Sequence, residues 1–359
     1  MQAYVLHSIG AMRLETMERP KLRENTVLVK VMAAGICGSD VPRIYQTGAH
    51  RMPLVPGHEF SGVVEEVGKA VDPKWLEKRV GIFPLMPCME CPQCRKKQYE
   101  TCQNYNYLGS RTDGGFAQYV SVPEWNLIEL PEEVTYEQAA MLEPASVGLH
   151  AIRGIGVCRE DSAAVCGLGT IGLLIAMHLK GMGVKQVFLL GNKSAQKDAA
   201  LRLGFPEEDF CNVAHEDALS WLRAKTAGEG ADVFFECVGR NNVVNLAVQG
   251  TATGGRVMLV GNPASDMELP RDVYWRILRK QLTLRGTWNS SFRHDKEDDW
   301  SEVLTSIRQG RIDPAQLITH RFPLVELEKG LRIMRDKTED YIKIMIQTAS
   351  RKCLDGLEN

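Results

Sequence analysis

Three absences narrow the field before any motif is read. Charge of one sign is missing: 43 Lys+Arg stand against 45 Asp+Glu, a net of −2 over 359 residues. The chain therefore lacks the basic footprint that nucleic acids require. Long apolar runs are missing too, with no stretch of about 18 apolar residues to cross a membrane. The first residues, MQAYVLHSIG, carry no basic segment leading into an apolar one and a small-residue cleavage site. The expectation is a cytoplasmic protein with no membrane or nucleic-acid partner. The third absence is an even spread of cysteine. Cys88, Cys91, Cys94 and Cys102 form Cys-x2-Cys-x2-Cys-x7-Cys, while Cys158, Cys166, Cys211, Cys237 and Cys353 are scattered through ordinary sequence. In a chain of this size without a leader, that pattern favours reduced thiols and a metal over a disulfide scaffold.

The length suits about two domains. Up to residue 147 the chain reads as short strands broken by Gly and Pro, at 27–33, 62–67, 79–82 and 116–122, a mainly β unit. Near Ser162 the texture changes to strand, Gly-rich turn and helix, with further buried-strand patterns at QVFLLG, ADVFFECVG and GGRVMLVG. Strands alternating with helices of this length predict an α/β class, a doubly wound parallel sheet over 148–290. Residues 291–359 hold helical patterns at 300–309 and 324–336 and a terminal strand at 341–346. They are short for a domain, and the expectation is that they return to the first unit.

Gly167-Leu168-Gly169-Thr170-Ile171-Gly172 follows an apolar strand and opens an apolar helix. That is the context of a dinucleotide-binding turn: glycines allow the tight bend and close approach of a pyrophosphate, and the helix N-terminus favours its charge. The second strand should end in an acid that holds the ribose 2′-OH of NAD, but QVFLLG ends at Gly191, followed by Asn192 and Lys193. A small residue followed by polar and cationic groups leaves room for a 2′-phosphate, so NADP(H) is expected over NAD(H).

The four clustered thiols can converge on Zn2+ with no open coordination position, which makes the site structural. An iron–sulfur cluster is the rival reading, because Cys-x2-Cys-x2-Cys also begins the ferredoxin run, but here the fourth Cys is displaced and no second ligand set exists. A second, open metal site is suggested by Cys37 in GICGSD, His58 in GHEFSG and Glu143 in LEPASVGLH. Three mixed ligands leave a fourth position for water or substrate, as catalytic zinc requires. Asp40 could hold the other ring nitrogen of His58, Glu59 could be a neighbouring group or an exchangeable ligand, and Ser39 would place a hydroxyl near the open position.

The motifs CGSD, GHEFSGVVEEVG, PCMECPQCRKKQYETC, DGGFAQY, EPASVGLHA and GLGTIG occur in the order of a known family. On them the chain resembles the zinc-dependent medium-chain alcohol and polyol dehydrogenases, the polyol-phosphate members in particular. The resemblance implies a GroES-like catalytic domain over 1–147, a Rossmann domain over 148–290, and a C-terminal return over 291–359. It implies two zinc ions per chain, with Cys37, His58 and Glu143 on the catalytic one and the four clustered cysteines on the structural one, and a homodimer or homotetramer. Glu at 143 points to the polyol branch, and Lys343 matches a basic residue near the coenzyme. The implied reaction is hydride transfer between NAD(P) and a secondary alcohol of a polyol or polyol phosphate, with Ser39 taking the hydroxyl proton. Asn289, Ser290, Arg43, His50 and Arg111 are the polar candidates for the substrate. Two departures stand out. Pro42 occupies the place where many members carry a relay histidine, and Gly191 replaces the acid of NAD-using members. Other readings kept open are a dehydrogenase for another small secondary alcohol and an NADPH-binding structural or redox-sensing protein without turnover.

Overall fold

The structure is a computed structural model that describes residues 1–263 and 265–348; Cys353 lies outside the described residues. It divides into two units, Met1–Glu143 with Ser291–Asn359, and Pro144–Ser290.

In the first unit the strand Thr26–Ile36 is the hub. Its near-continuous burial, from TVLVKVMAAGI, fits a strand covered on both faces. It pairs antiparallel with Glu59–Val67, with Tyr119–Pro123 and with the C-terminal strand Lys343–Gln347. Six strands of the seven-stranded sheet run in the order Ile318–Pro323, Lys343–Gln347, Thr26–Ile36, Glu59–Val67, Arg79–Ile82, Leu127–Glu129, and the seventh, Tyr119–Pro123, pairs with Thr26–Ile36 off that path. The last described residues thus lie against the first long strand, Ile344 opposite Ile36. Val27, Val29, Val31, Phe60, Val64, Phe116 and Ile344 form one buried core, each such side chain contributing about 1.5–3 kcal/mol by leaving water.

The second unit carries six parallel strands in the order Phe210–Asn212, Gln186–Gly191, Ser162–Cys166, Ala231–Glu236, Thr251–Leu259, Thr283–Gly286. Numbered along the chain this is 3-2-1-4-5-6, the doubly wound order whose direction reverses between the first and fourth strands, and ligands of such sheets bind beyond the strand ends at that reversal. Ser162–Cys166 and Ala231–Glu236 flank the reversal, so the turns that follow them, at Gly167 and Cys237, mark the place. Among the described residues no helix is long and apolar enough to cross a membrane.

Candidate active site

Four buried or half-buried groups meet in the first unit. Gly57 has φ +96° and its pro-side-chain direction points into the Phe116 ring, so only glycine permits the bend that delivers His58 before the strand Glu59–Val67 begins. Cys37 follows the end of the hub strand. The ligating atoms of Cys37, His58 and Glu59 all lie within 4.8 Å of one another. Ser39 donates to the Cys37 sulfur through Oγ at 3.3 Å and through its backbone N–H at 3.5 Å.

Asp40 anchors the group from beneath. It is fully buried, accepts the Cys37 N–H at 2.9 Å and the Arg43 guanidinium at 2.6 Å, and its Oδ1 stands 3.5 Å from His58 Nδ1. At that distance Nδ1 has an electrostatic neighbour but no formed hydrogen bond. Burial alone would lower the His58 pKa; Asp40 and then Cys37 outweigh it and hold the imidazole well above its ordinary value. Burial likewise opposes the Asp40 charge, and His58 and Arg43 still keep its carboxyl low. Surroundings that hold positive charge on a buried imidazole favour a cation there, and a divalent ion bound through sulfur, imidazole and carboxylate replaces the proton. The donor set fits zinc.

The carboxylate that stands beside Cys37 and His58 is not the expected one. Glu143 was expected on the metal with Glu59 as a neighbour or an exchangeable ligand, but it is Glu59 whose carboxylate gathers with Cys37 and His58. Glu143 stands in the first turn of the helix Leu142–Ile155 and accepts the Tyr107 hydroxyl at 3.1 Å. Burial pushes its carboxyl up to about 7, His58 pulling the other way. The Lys343 ammonium, expected beside the coenzyme, is buried and ion-paired with Glu59. Gly35 makes that pairing possible, since a Cβ there would lie 2.8 Å from Lys343 Cε and collide with the Glu59 carboxylate. Tyr107 escaped sequence reasoning altogether. Its ring stands edge-on to His58, centroids 5.9 Å apart, and no motif marks it.

The four-cysteine lobe has the dimensions of a metal cage. Sulfur–sulfur distances are 3.5 Å (Cys88–Cys102), 3.9 Å (Cys88–Cys94) and 3.9 Å (Cys91–Cys102). A tetrahedron with metal–sulfur bonds of about 2.3 Å has edges of about 3.8 Å, far longer than a disulfide. Backbone N–H groups of Cys94 and Gln103 lower Cys91 to about 6, whereas burial pushes Cys94 up to about 12. A cation shared by all four would settle that inequality. Replacing Cys94 with Ser is expected to lower Tm by roughly 6–12 °C, the equivalent of about 3 kcal/mol. The lobe is not a metal cage if calorimetry finds Tm unchanged.

In the second unit, Gly167 bends at φ +97° after Ser162–Cys166, and a Cβ on it would press on Val238 and Cys237. A Cβ on Gly172 would strike the Gly167 carbonyl, while one on Gly169, the N-cap of Thr170–Gly181, meets nothing within 4 Å. Leu168 is buried. Two glycines thus allow close packing and one leaves space at a helix N-terminus, the division of labour a pyrophosphate site needs. Glu236 accepts the N–H groups of Val238 and Gly239, both at 2.8 Å, fixing the turn across the reversal. The expected gap at Gly191 is not an open one. A Cβ there would lie 2.7 Å from Gln196 Oε1, 3.0 Å from Leu168 and 3.1 Å from Phe210. The Gln196 carbonyl also accepts the Asn192 N–H at 2.9 Å. Lys193 is the N-cap of Ser194–Arg202.

Residues 23–132 match the alcohol dehydrogenase GroES-like domain, and residues 170–309 the zinc-binding dehydrogenase domain. Galactitol 1-phosphate 5-dehydrogenase of Escherichia coli is 32% identical over 92% of this chain and 96% of its own. The chain belongs to the zinc-dependent medium-chain alcohol and polyol dehydrogenases. It is an oxidoreductase of that fold. A crystal structure of the Escherichia coli galactitol-1-phosphate dehydrogenase superposes with a TM-score of 0.90 at 31% identity, covering 97% of this chain and 100% of that one. Sorbitol dehydrogenase of Bacillus subtilis is 27% identical over 96% of this chain and 97% of its own. A zinc-binding dehydrogenase from Sinorhizobium meliloti bound to NADP gives a TM-score of 0.87 at 26% identity, covering 96% of this chain and 98% of that one.

Proposed function

We propose that this dehydrogenase interconverts a secondary alcohol of a polyol or polyol phosphate, of the galactitol 1-phosphate kind, with the corresponding ketone, using NADP(H) in preference to NAD(H), as a cytoplasmic homodimer or homotetramer. The observation that carries the reading is the gathering of Cys37, His58 and Glu59 within 4.8 Å of one another. In it these three hold the catalytic zinc and Glu143 is the carboxylate available to exchange; Cys88, Cys91, Cys94 and Cys102 hold a second, structural zinc. A bound zinc supplies Lewis acidity, which makes a substrate hydroxyl acidic near neutral pH. Ser39 receives the hydroxyl proton from its place beside the Cys37 sulfur. With Pro42 where a relay histidine would stand, that proton leaves Ser39 through water. Asp40 keeps His58 oriented, Lys343 neutralises Glu59, and the turn Gly167–Gly172 with Asn192 and Lys193 binds the coenzyme.

The test is a panel of steady-state rates on polyols, their phosphates and simple secondary alcohols with both coenzymes. Polyols or their phosphates should exceed simple alcohols in kcat/KM by at least about tenfold, as their extra hydrogen bonds predict. Dialysis against a chelator should abolish the rate and zinc should return it. A rate that survives complete metal removal, checked by elemental analysis, would refute the zinc chemistry.

A further inference from the structure

Five polar residues were candidates for the substrate, and three of them share one neighbourhood in the first unit. Arg43 reaches the metal-type site through Asp40, at 2.6 Å, which in turn faces His58. Arg111 reaches it by another route: its guanidinium lies 4.3 Å over the Tyr105 ring, Tyr105 stands 6.2 Å from Tyr107, and Tyr107 stands 5.9 Å from His58. The loop that carries Arg111 is pinned to the loop that carries His50. Asp113 accepts from Arg51 at 2.9 Å and from the Val55 N–H at 3.0 Å, and the Gly114 N–H donates to the Val55 carbonyl at 2.8 Å.

Resting on the polyol reading above, we propose that Arg43, His50 and Arg111 form an oxyanion subsite that receives the terminal phosphate of a phosphorylated polyol. The buried Nε of Arg111 has no hydrogen-bond partner, and a guanidinium N–H in that condition is satisfied by an oxyanion. Asp113, the acid nearest to it in sequence, is already engaged by Arg51 and Val55. His50, an exposed side chain, supports the same picture, because after some loss of hydration the groups that press its pKa down are Arg111 and Arg43. Two fixed cations and a histidine that gains its proton beside an anion suit a phosphate dianion better than a monoanionic carboxylate. Stacking on Tyr105 holds the Arg111 fork in one plane, ready for bidentate contact.

The experiment compares the zinc-loaded full chain with Arg111→Gln and His50→Gln on three substrates: a polyol phosphate, the sugar acid of the same carbon chain, and the neutral polyol. Inorganic phosphate serves as a separate probe by calorimetry. The phosphate ester should be favoured over the neutral polyol at least about tenfold in kcat/KM. Arg111→Gln should erase that ratio through KM, with inorganic phosphate binding weakened by a similar factor. If Arg111→Gln cannot be isolated, His50→Gln decides in the same direction. Equal losses on ester and neutral polyol would overturn the subsite, as would a sugar acid favoured as much as the ester. Should no polyol be turned over at all, the proposed function fails by itself; the subsite then stands if phosphate binds the wild type and not Arg111→Gln, and falls if phosphate binds neither.

Discussion

Cys37→Ser is expected to lower kcat/KM by at least about a thousandfold, because a Lewis acid supplies several kcal/mol of transition-state stabilisation and each 1.36 kcal/mol is a factor of ten. The same variant should titrate with NADPH as the wild type does, since Cys37 lies in the first unit and the glycine turn in the second. On the proposed assignment, metal analysis should fall from two zinc ions per chain to one, the four clustered cysteines being untouched. This pattern separates an enzyme from a coenzyme-binding protein without turnover, for which Cys37→Ser has no rate to remove. It also separates the chain from zinc-free reductases of the same fold, which would lose neither metal nor rate. Glu59→Gln and Glu143→Gln refine the assignment. The first should weaken zinc binding by about 10- to 100-fold or more, the second should act mainly on rate, and the reverse order would restore Glu143 as the resident ligand.

The candidate donors were legible because donor type is a property of the residue. Cys37, His58 and the four clustered cysteines announce themselves in CGSD, GHEF and PCMECPQC. Which carboxylate stands beside Cys37 and His58 was not legible. Alternation along a strand would send Glu59 away from His58, but His58 precedes the strand, and the bend at Gly57 breaks the alternation. The Lys343–Glu59 pair joins residues from opposite ends of the chain and depends on a glycine, Gly35, in a third strand. No local pattern encodes such a contact. The parallel sheet was legible for the opposite reason, since its strands are uninterrupted apolar runs separated by helices. The hub strand came out longer than its expected 27–33, reaching Ile36, because MAAGI continues the buried run through small residues that carry weak strand propensity.

Coenzyme choice is expected to invert only when two residues change together. Asp is the residue that would hold a ribose 2′-OH at position 191, but its Cβ would come 2.7 Å from Gln196 Oε1. The Gln196 amide must then swing away and release the Asn192 N–H that it accepts at 2.9 Å. Gly191→Asp alone should therefore weaken both coenzymes and move the NADP/NAD ratio of kcat/KM only partway. Gly191→Asp with Gln196→Ala removes the closest of the three contacts, leaving Leu168 at 3.0 Å and Phe210 at 3.1 Å to give way by a few tenths of an ångström, and the carboxylate then meets the ribose diol while repelling a 2′-phosphate. From a wild type that favours NADP, the double variant should favour NAD, a total swing of about 100-fold or more, since hydrogen bonds to a charged group contribute about 1.5–3 kcal/mol and like-charge repulsion adds to it. Gln196→Ala alone should change the ratio little, so the two substitutions are coupled, as neighbours that share one space should be. Rates with both coenzymes on the four proteins close the cycle. Strict additivity would show that Gln196 does not gate the position. A wild type already indifferent to the 2′-phosphate would show that Asn192 and Lys193 do not read it.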